Sequence, residues 1–327
     1  MKTLILFFNL IIAASIHGQS YFEYQRVFNR IDEDILAKNY LMATLRLDSI
    51  ENTYKFIYAR HCIKALQICC ANNDSFNSKK WLLRSFKQGV PLWIIRTNEL
   101  TRKSLNYYTT QYSIQKFDSF DRIYKNSINH KIVRRIDSLL LSDQEYTAKV
   151  NDGFFLFRHT LYGLQWLKNN KRQFKEIDDI IDKYGFPGER LIGLPSGYND
   201  SASLVKNTIF YGPDISDTRT YIMLIHYFSN PRKDINDKLL KNVINGYLPS
   251  QQFGAFNDFM ACWGKKKYGN YEYYNIWHHD PNIKNNDSIN FRRNSIGLNT
   301  FDKQQRNMLI ARERRKTKRA NSEIILE

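Results

Sequence analysis

Three polar side chains stand in otherwise apolar helical stretches and are of the right types for acid–base chemistry: Asp143, His226 and Asp258. Asp143 follows Leu139 by four residues and Leu140 by three, which places it on the inward stripe of its helix. His226 is set among Ile222, Leu224, Ile225 and Phe228, and Asp258 shares a face with Ala255 and Cys262. Polar groups are costly to bury unless they are hydrogen-bonded, so a shared network is expected. A histidine oriented by one carboxylate, with a second nearby, can act as a general base or join a metal site. The same residues can equally form a hydrogen-bonded tie between helices. Residue types alone leave both readings open.

Other chemistry is thin. The chain carries no phosphate-binding loop, zinc-protease helix, esterase elbow or dinucleotide fingerprint. His278-His279-Asp280 lacks a further spaced ligand and reads as a polar loop tip. No cofactor or metal is expected. Cys62, Cys69 and Cys70 share a helical face and read as small apolar fillers. Cys62 and Cys69 stand about 10 Å apart along that helix, too far to bridge within it. A pairing of Cys262 with one of these three stays open.

The elements that must position these residues are helical. Ala59, Cys62, Ile63, Leu66, Cys69 and Cys70 make one apolar stripe, and Asp74 or Ser75 caps a helix over 75–88 that ends at Gly89. The Lys38-Asn39-Tyr40 to Ala43 step recurs 35 residues later as Asn73-Asp74-Ser75 to Ser78, close to the tetratricopeptide period. Residues 19–118 are therefore expected to form tetratricopeptide-like helix pairs, with Ala43 and Ser78 allowing close approach. Too few repeats to stand alone, these pairs should pack on the C-terminal part of the chain. Residues 119–305 are expected to form a second helical domain. Ile132–Leu140, Phe174–Tyr184, the nearly all-apolar Tyr221–Phe228, a helix after Asp234 and another after Ser250 supply its helices. Leu191–Asp217 is expected to be a long surface loop, 264–290 an irregular aromatic stretch, and 306–327 a basic tail. The fold class is all-α.

Several of these segments resemble an uncharacterised bacterial domain family. Ile136 to Gln144, with its Asp143-Gln144 pair, is similar to that family's opening helix; Tyr184-Gly185-Phe186-Pro187 followed by Gly193 resembles its next step. His226 looks like its central histidine, Asp258 and Tyr268-Gly269 like later motifs, and Arg292-Arg293 to Gly297-Leu298 like its closing segment. The resemblance covers roughly 125–300. It implies a helical fold after tetratricopeptide-like repeats in exported proteins, and a candidate site adding Gln144, Tyr268 and Gly269 as binding residues. It implies no reaction, because no activity is attached to the family. The chain departs from the family pattern at Tyr146-Thr147, at Phe259 and at Asn270-Tyr271.

Residues 1–18 read as a signal peptide: Lys2, an apolar core from Leu4 to Ile16, then Ala13, Ala14, Ser15 and Gly18 near a cleavage point. That core is shorter than the roughly 20 residues needed to span a bilayer, so the mature chain is expected to be exported and not transmembrane. The 327 residues hold 49 Lys+Arg against 32 Asp+Glu, a net charge of +17. Export argues against a nucleic-acid partner. An anionic envelope surface met by the basic tail is the remaining electrostatic reading. The leading expectation is a protein-binding or scaffolding module of the cell envelope or secreted fraction. The alternative is a hydrolase-type enzyme using His226 with Asp143 and Asp258.

Overall fold

A computed structural model describes residues 20–109, 114–195, 216–228, 234–263, 273–276 and 286–316. Residues 1–18, Tyr268-Gly269, His278-His279-Asp280 and residues 317–327 lie outside these. Among the described residues there are fifteen α-helices, one short π-helical turn and no strand, so the fold is all-α. None of these helices is long and apolar enough to cross a membrane.

The N-terminal layer begins with helices α1 (Tyr21–Leu36), α2 (Tyr40–Thr53), α3 (Ala59–Ala71) and α4 (Ser75–Lys87). Their starts are written in short polar side chains: Asn39 accepts from the Met42 N–H and Asp74 from the Asn77 N–H, at 3.3 and 3.0 Å. Helices α1 and α2 pair, as do α3 and α4, and α2 packs on α3. Ala43 and Ser78 are buried in this layer. Helices α5 (Leu92–Thr97), α6 (Glu99–Thr109) and α7 (Ile114–Ser127) follow, with α6 packed on α3 and α7 on α4. Phe28, Leu47, Leu66 and Trp81 are fully buried at the centre.

The C-terminal layer is built on an antiparallel hairpin of α8 (His130–Asp152) and α9 (Gly163–Tyr184), joined through the π-helical turn Arg158–Tyr162. Gln173 Nε2 donates to the Leu139 carbonyl at 2.7 Å, fixing the register of the hairpin. After the single turn α10 (Glu189–Ile192), helix α11 (Arg219–Phe228) lies across both α8 and α9. Helices α12 (Asn236–Ile244), α13 (Ser250–Trp263), α14 (Asn286–Ser295) and α15 (Phe301–Lys316) complete the layer. Ile136, Ile177, Leu224, Phe253 and Phe256 form its core.

Two local expectations need correction. The segment expected as a surface loop over Leu191–Asp217 has buried ends, with Ile192, Leu194 and Asp217 all inside, because Arg219 draws both ends onto itself. Its middle, 196–215, lies outside the described residues. Ser250 opens α13, and its Oγ donates to the Ile296 carbonyl at 2.7 Å, tying α13 to the turn after α14. Asp234, expected as the cap of the following helix, stands one residue before it: Ile235 occupies the N-cap position without a side-chain cap bond, and Asp234 accepts the Asn236 N–H at 2.8 Å in the lead-in turn.

The layers are bonded to each other by side chains reaching backbone. Arg26 donates to the Asn294 carbonyl at 2.9 Å and Asn29 to the Gly297 carbonyl at 2.8 Å. Gly297 has φ +83°, and a Cβ there would collide with the Phe22 carbonyl oxygen. Tyr58 Oη donates to the Gly246 carbonyl at 3.1 Å. The buried Glu189 carboxyl accepts the Ala59 N–H at 2.6 Å, capping the start of α3 from the other layer. Burial pushes Glu189 from its ordinary 4.5 up to about 8, against the opposing pull of the Ala59 N–H and Arg60. Between those values the folded state holds a proton that the unfolded chain has released. Stability contributed by Glu189 is thus complete below about 4.5 and is lost as the pH rises through about 8. Urea midpoints of the wild type are expected to fall between pH 5 and 9, as judged by circular dichroism. Glu189→Gln should flatten that decline, and parallel profiles for the two proteins would refute the assignment.

Candidate functional site

Along the α8–α9 seam the inward residues change character. On α8 the stripe runs Ile132, Ile136, Leu139 and then Asp143 and Thr147. On α9 the facing end begins with Trp166, Asn169, Asn170 and Gln173 before it turns apolar at Phe174, Ile177 and Ile181. One end of the seam is therefore oily and the other, nearer the hairpin turn, is polar. Helical spacing at i, i+3, i+4 and i+7 places the four α9 residues on a single face.

Helix α11 delivers His226 to the polar end. Its N-terminus is fixed by Arg219, whose guanidinium meets Asp217 at 2.8 Å, Asp137 at 2.8 Å, and the carbonyls of Ile192 and Gly193. Thr220 Oγ1 adds a bond to the Pro187 carbonyl at 2.7 Å. About two turns later His226 Nδ1 lies 2.9 and 3.0 Å from the Asp143 oxygens. The Asp143 side chain is 0% exposed and that of His226 24% exposed, so the carboxylate is sealed and the ring reaches the surface. Gln144 Nε2 donates to Asp143 Oδ2 at 2.9 Å, and the Trp166 ring meets the imidazole edge-on at 5.7 Å. A hydrogen on Nδ1 would be donated to this carboxylate, and the second ring nitrogen, Nε2, is not used by the pair.

The expected convergence of three residues is corrected to two. Asp258 accepts the backbone N–H groups of Tyr274, Asn275 and Ile276, and Arg293 binds the carbonyls of the same segment, Tyr274 at 2.8 Å. The physical reason lies in the helix phase of α11. Tyr221 and Phe228 carry the rings that meet Phe256 of α13, whereas His226 projects about 140° away from Tyr221 around the axis. Asp258 thus holds an irregular segment in place on another side of α11. A cavity of about 160 Å³ beside Arg293, lined also by Asn29, Asp32 and Gln304, does not include either dyad residue. Of the expected binding residues, Gln144 touches the dyad, while Tyr268 and Gly269 lie outside the described residues.

The α9 amides were absent from the sequence-based candidates. Thr147 Oγ1, Trp166 Nε1, Asn169 Nδ2, both amide atoms of Asn170 and Gln173 Oε1 are buried with no hydrogen-bond partner among the described residues. A polar stripe continuing an apolar one on α9 was the available signal. Leaving a buried polar group without a partner costs about 1–3 kcal/mol, so a water or polar ligand in this seam would be stabilising. Among the described residues no three His, Cys, Asp or Glu side chains gather as a metal-ligand set.

Comparison with protein-family models, curated proteins and solved structures finds no match for the chain.

Removing one partner of the dyad strands the other. His226→Phe is expected to destabilise the protein by about 3–5 kcal/mol, because Asp143 is left buried with its main partner gone. The double variant Asp143→Leu/His226→Phe should recover much of that loss in a denaturant-unfolding cycle. Strictly additive losses would show that the pair is not coupled.

Proposed function

We propose that the Asp143–His226 pair is an acid–base site of hydrolase type in an exported protein. The observation carrying this reading is a surface-reaching histidine held at Nδ1 by a sealed carboxylate, beside a row of buried polar atoms unpaired among the described residues. In this role Asp143 fixes the tautomer and favours the imidazolium once it forms. His226 Nε2 removes a proton from water as the water oxygen attacks an electrophilic carbon or phosphorus. The same proton then passes to the departing group. Thr147 and the amides of Asn169, Asn170 and Gln173 supply donors and acceptors for a polar substrate, and Trp166 one wall. The resemblance of residues 125–300 to a bacterial domain family that follows repeat helices, together with the signal-like residues 1–18, supports an exported location.

A second reading has its own support. Leu41, Leu45 and Phe76 are exposed apolar residues on α2 and at the start of α4. Exposed side chains of this kind on tetratricopeptide-like pairs suit a protein or peptide partner, the scaffolding role expected from sequence.

The two readings separate in one experiment. The mature chain is to be screened against chromogenic carboxylic esters, peptides, phosphoesters and glycosides, alongside His226→Gln and Asp143→Asn. The acid–base reading expects one class to be turned over and about 10²–10⁴-fold of that rate to vanish in His226→Gln. Turnover of no class, or equal turnover by wild type and His226→Gln, refutes it and leaves the partner-binding reading.

A further inference from the structure

We propose that the tip of the α8–α9 hairpin is a membrane-docking device that enters the headgroup region of an anionic bilayer. The proposal does not depend on the chemistry assigned to Asp143 and His226. Four consecutive apolar residues form the turn, and all are exposed: Phe154 at 54%, Phe155 at 68%, Leu156 at 59% and Phe157 at 44%. Leu161 and Leu164, in the first turns leading into α9, extend the surface at 48% and 68%. Isolated exposed apolar residues are ordinary, but a contiguous group at the end of a projecting hairpin marks an interaction site.

The tip is built rather than frayed. Phe157 N–H donates to the Phe154 carbonyl at 2.9 Å, Tyr162 N–H to the Phe157 carbonyl at 3.0 Å, and Arg158 Nε to the Gly153 carbonyl at 2.6 Å. The rings of Phe154, Phe155 and Phe157 pack on one another, with centroids 5.1 and 5.6 Å apart. This internal bonding holds the rings outward at the apex, where no part of the described fold covers them.

The surroundings of the apex identify the partner. Between residues 145 and 172 the cations are Lys149, Arg158, Lys168, Lys171 and Arg172, and the carboxylates only Glu145 and Asp152. Tyr146, Tyr162 and Trp166 are half-buried in the same stretch, with Lys149 lying 5.1 Å over the Tyr146 ring. Behind the apolar apex, amphipathic aromatics and cations are interleaved, with Arg158 and Tyr162 in the turn itself and Lys149, Tyr146, Trp166 and Lys168 on the adjoining turns of α8 and α9. An apolar tip ringed by amphipathic aromatics and cations matches the acyl region, the interface and the anionic headgroups of a bilayer. A second copy of the tip would bring two like-charged collars together, which opposes self-association. Apolar insertion and headgroup attraction each bind weakly alone, and their combination gives stable attachment. Asp143 lies nine residues before the end of α8, about 14 Å along the helix, so the dyad would sit close above the membrane plane.

Sedimentation of the mature full-length chain with vesicles tests this directly. Phosphatidylcholine vesicles are compared with vesicles of phosphatidylcholine mixed with phosphatidylglycerol. Wild type is expected to partition at least tenfold better onto the anionic vesicles, and added salt should reduce the effect. The variant Phe154→Ser/Phe155→Ser/Leu156→Ser changes only exposed side chains and should unfold at the wild-type temperature while losing at least tenfold in partitioning. In Phe155→Trp, brominated lipid should quench more emission than in wild type. Three outcomes would overturn the proposal: no vesicle binding by wild type, binding unchanged in the triple serine variant, or a tip that instead drives self-association abolished by that variant. The second would assign any attachment to the basic residues of 306–327 or to net charge alone.

Discussion

Everything in the C-terminal layer is referred to one buried cation, Arg219. A guanidinium removed from water must have its donors met, or the cost of desolvation is not recovered. Here Asp137 on α8, Asp217 just ahead of α11, and the carbonyls of Ile192 and Gly193 meet them together. The pairing welds α8, the turn after α10 and the start of α11 into one unit. Gly193 belongs to this constraint: its φ is +67°, and any Cβ would run into the Tyr124 hydroxyl that binds the Leu194 N–H. The aim of His226 is a result of this weld, because α11 is too short to bend between Arg219 and its last turn.

Helix placement was largely legible in the sequence. Asp74 announced a helix start that the structure contains, and Tyr221–Phe228 is the helix its apolar run required. The Asp143–His226 approach was legible too, because both residues interrupt apolar faces and a buried polar group needs a partner. Asp258 carried the same signal and found a different one. A backbone segment with three adjacent N–H groups satisfies a carboxylate as fully as a histidine does, and sequence spacing does not distinguish the two. The phase of α11 decides between them, and phase relative to other helices is set by packing. The α9 amides escaped notice for the complementary reason: Asn and Gln on a helix read as solvent-facing until a second helix covers them. Arg219 and Glu189 were similarly opaque, since charged residues are buried only when distant parts of the chain supply their partners.

The two aspartates illustrate how environment divides like residues. Asp143 and Asp258 are both fully buried. One faces a titratable ring that opens toward solvent; the other faces backbone amides that cannot exchange roles. The polar seam around Asp143 also carries a visible energetic burden, with buried amide atoms left without partners among the described residues. Folds commonly tolerate such a burden where binding relieves it, and the oily half of the same seam supplies the compensating burial through Ile136, Phe174 and Ile177.

The bonds from Arg26 to Asn294 and from Asn29 to Gly297 join residues 268 positions apart. Closing so long a loop carries a large entropic cost before any contact repays it, although that cost grows only slowly with length. The first helix pair can form from local contacts, yet α1 obtains its last partners only when the turn after α14 arrives. Assembly is therefore a late-closing process: local hairpins form early, and the molecule locks when its opening helix receives the far end of the chain. Until then Phe22, Gln25 and Asn29 present an unfinished face.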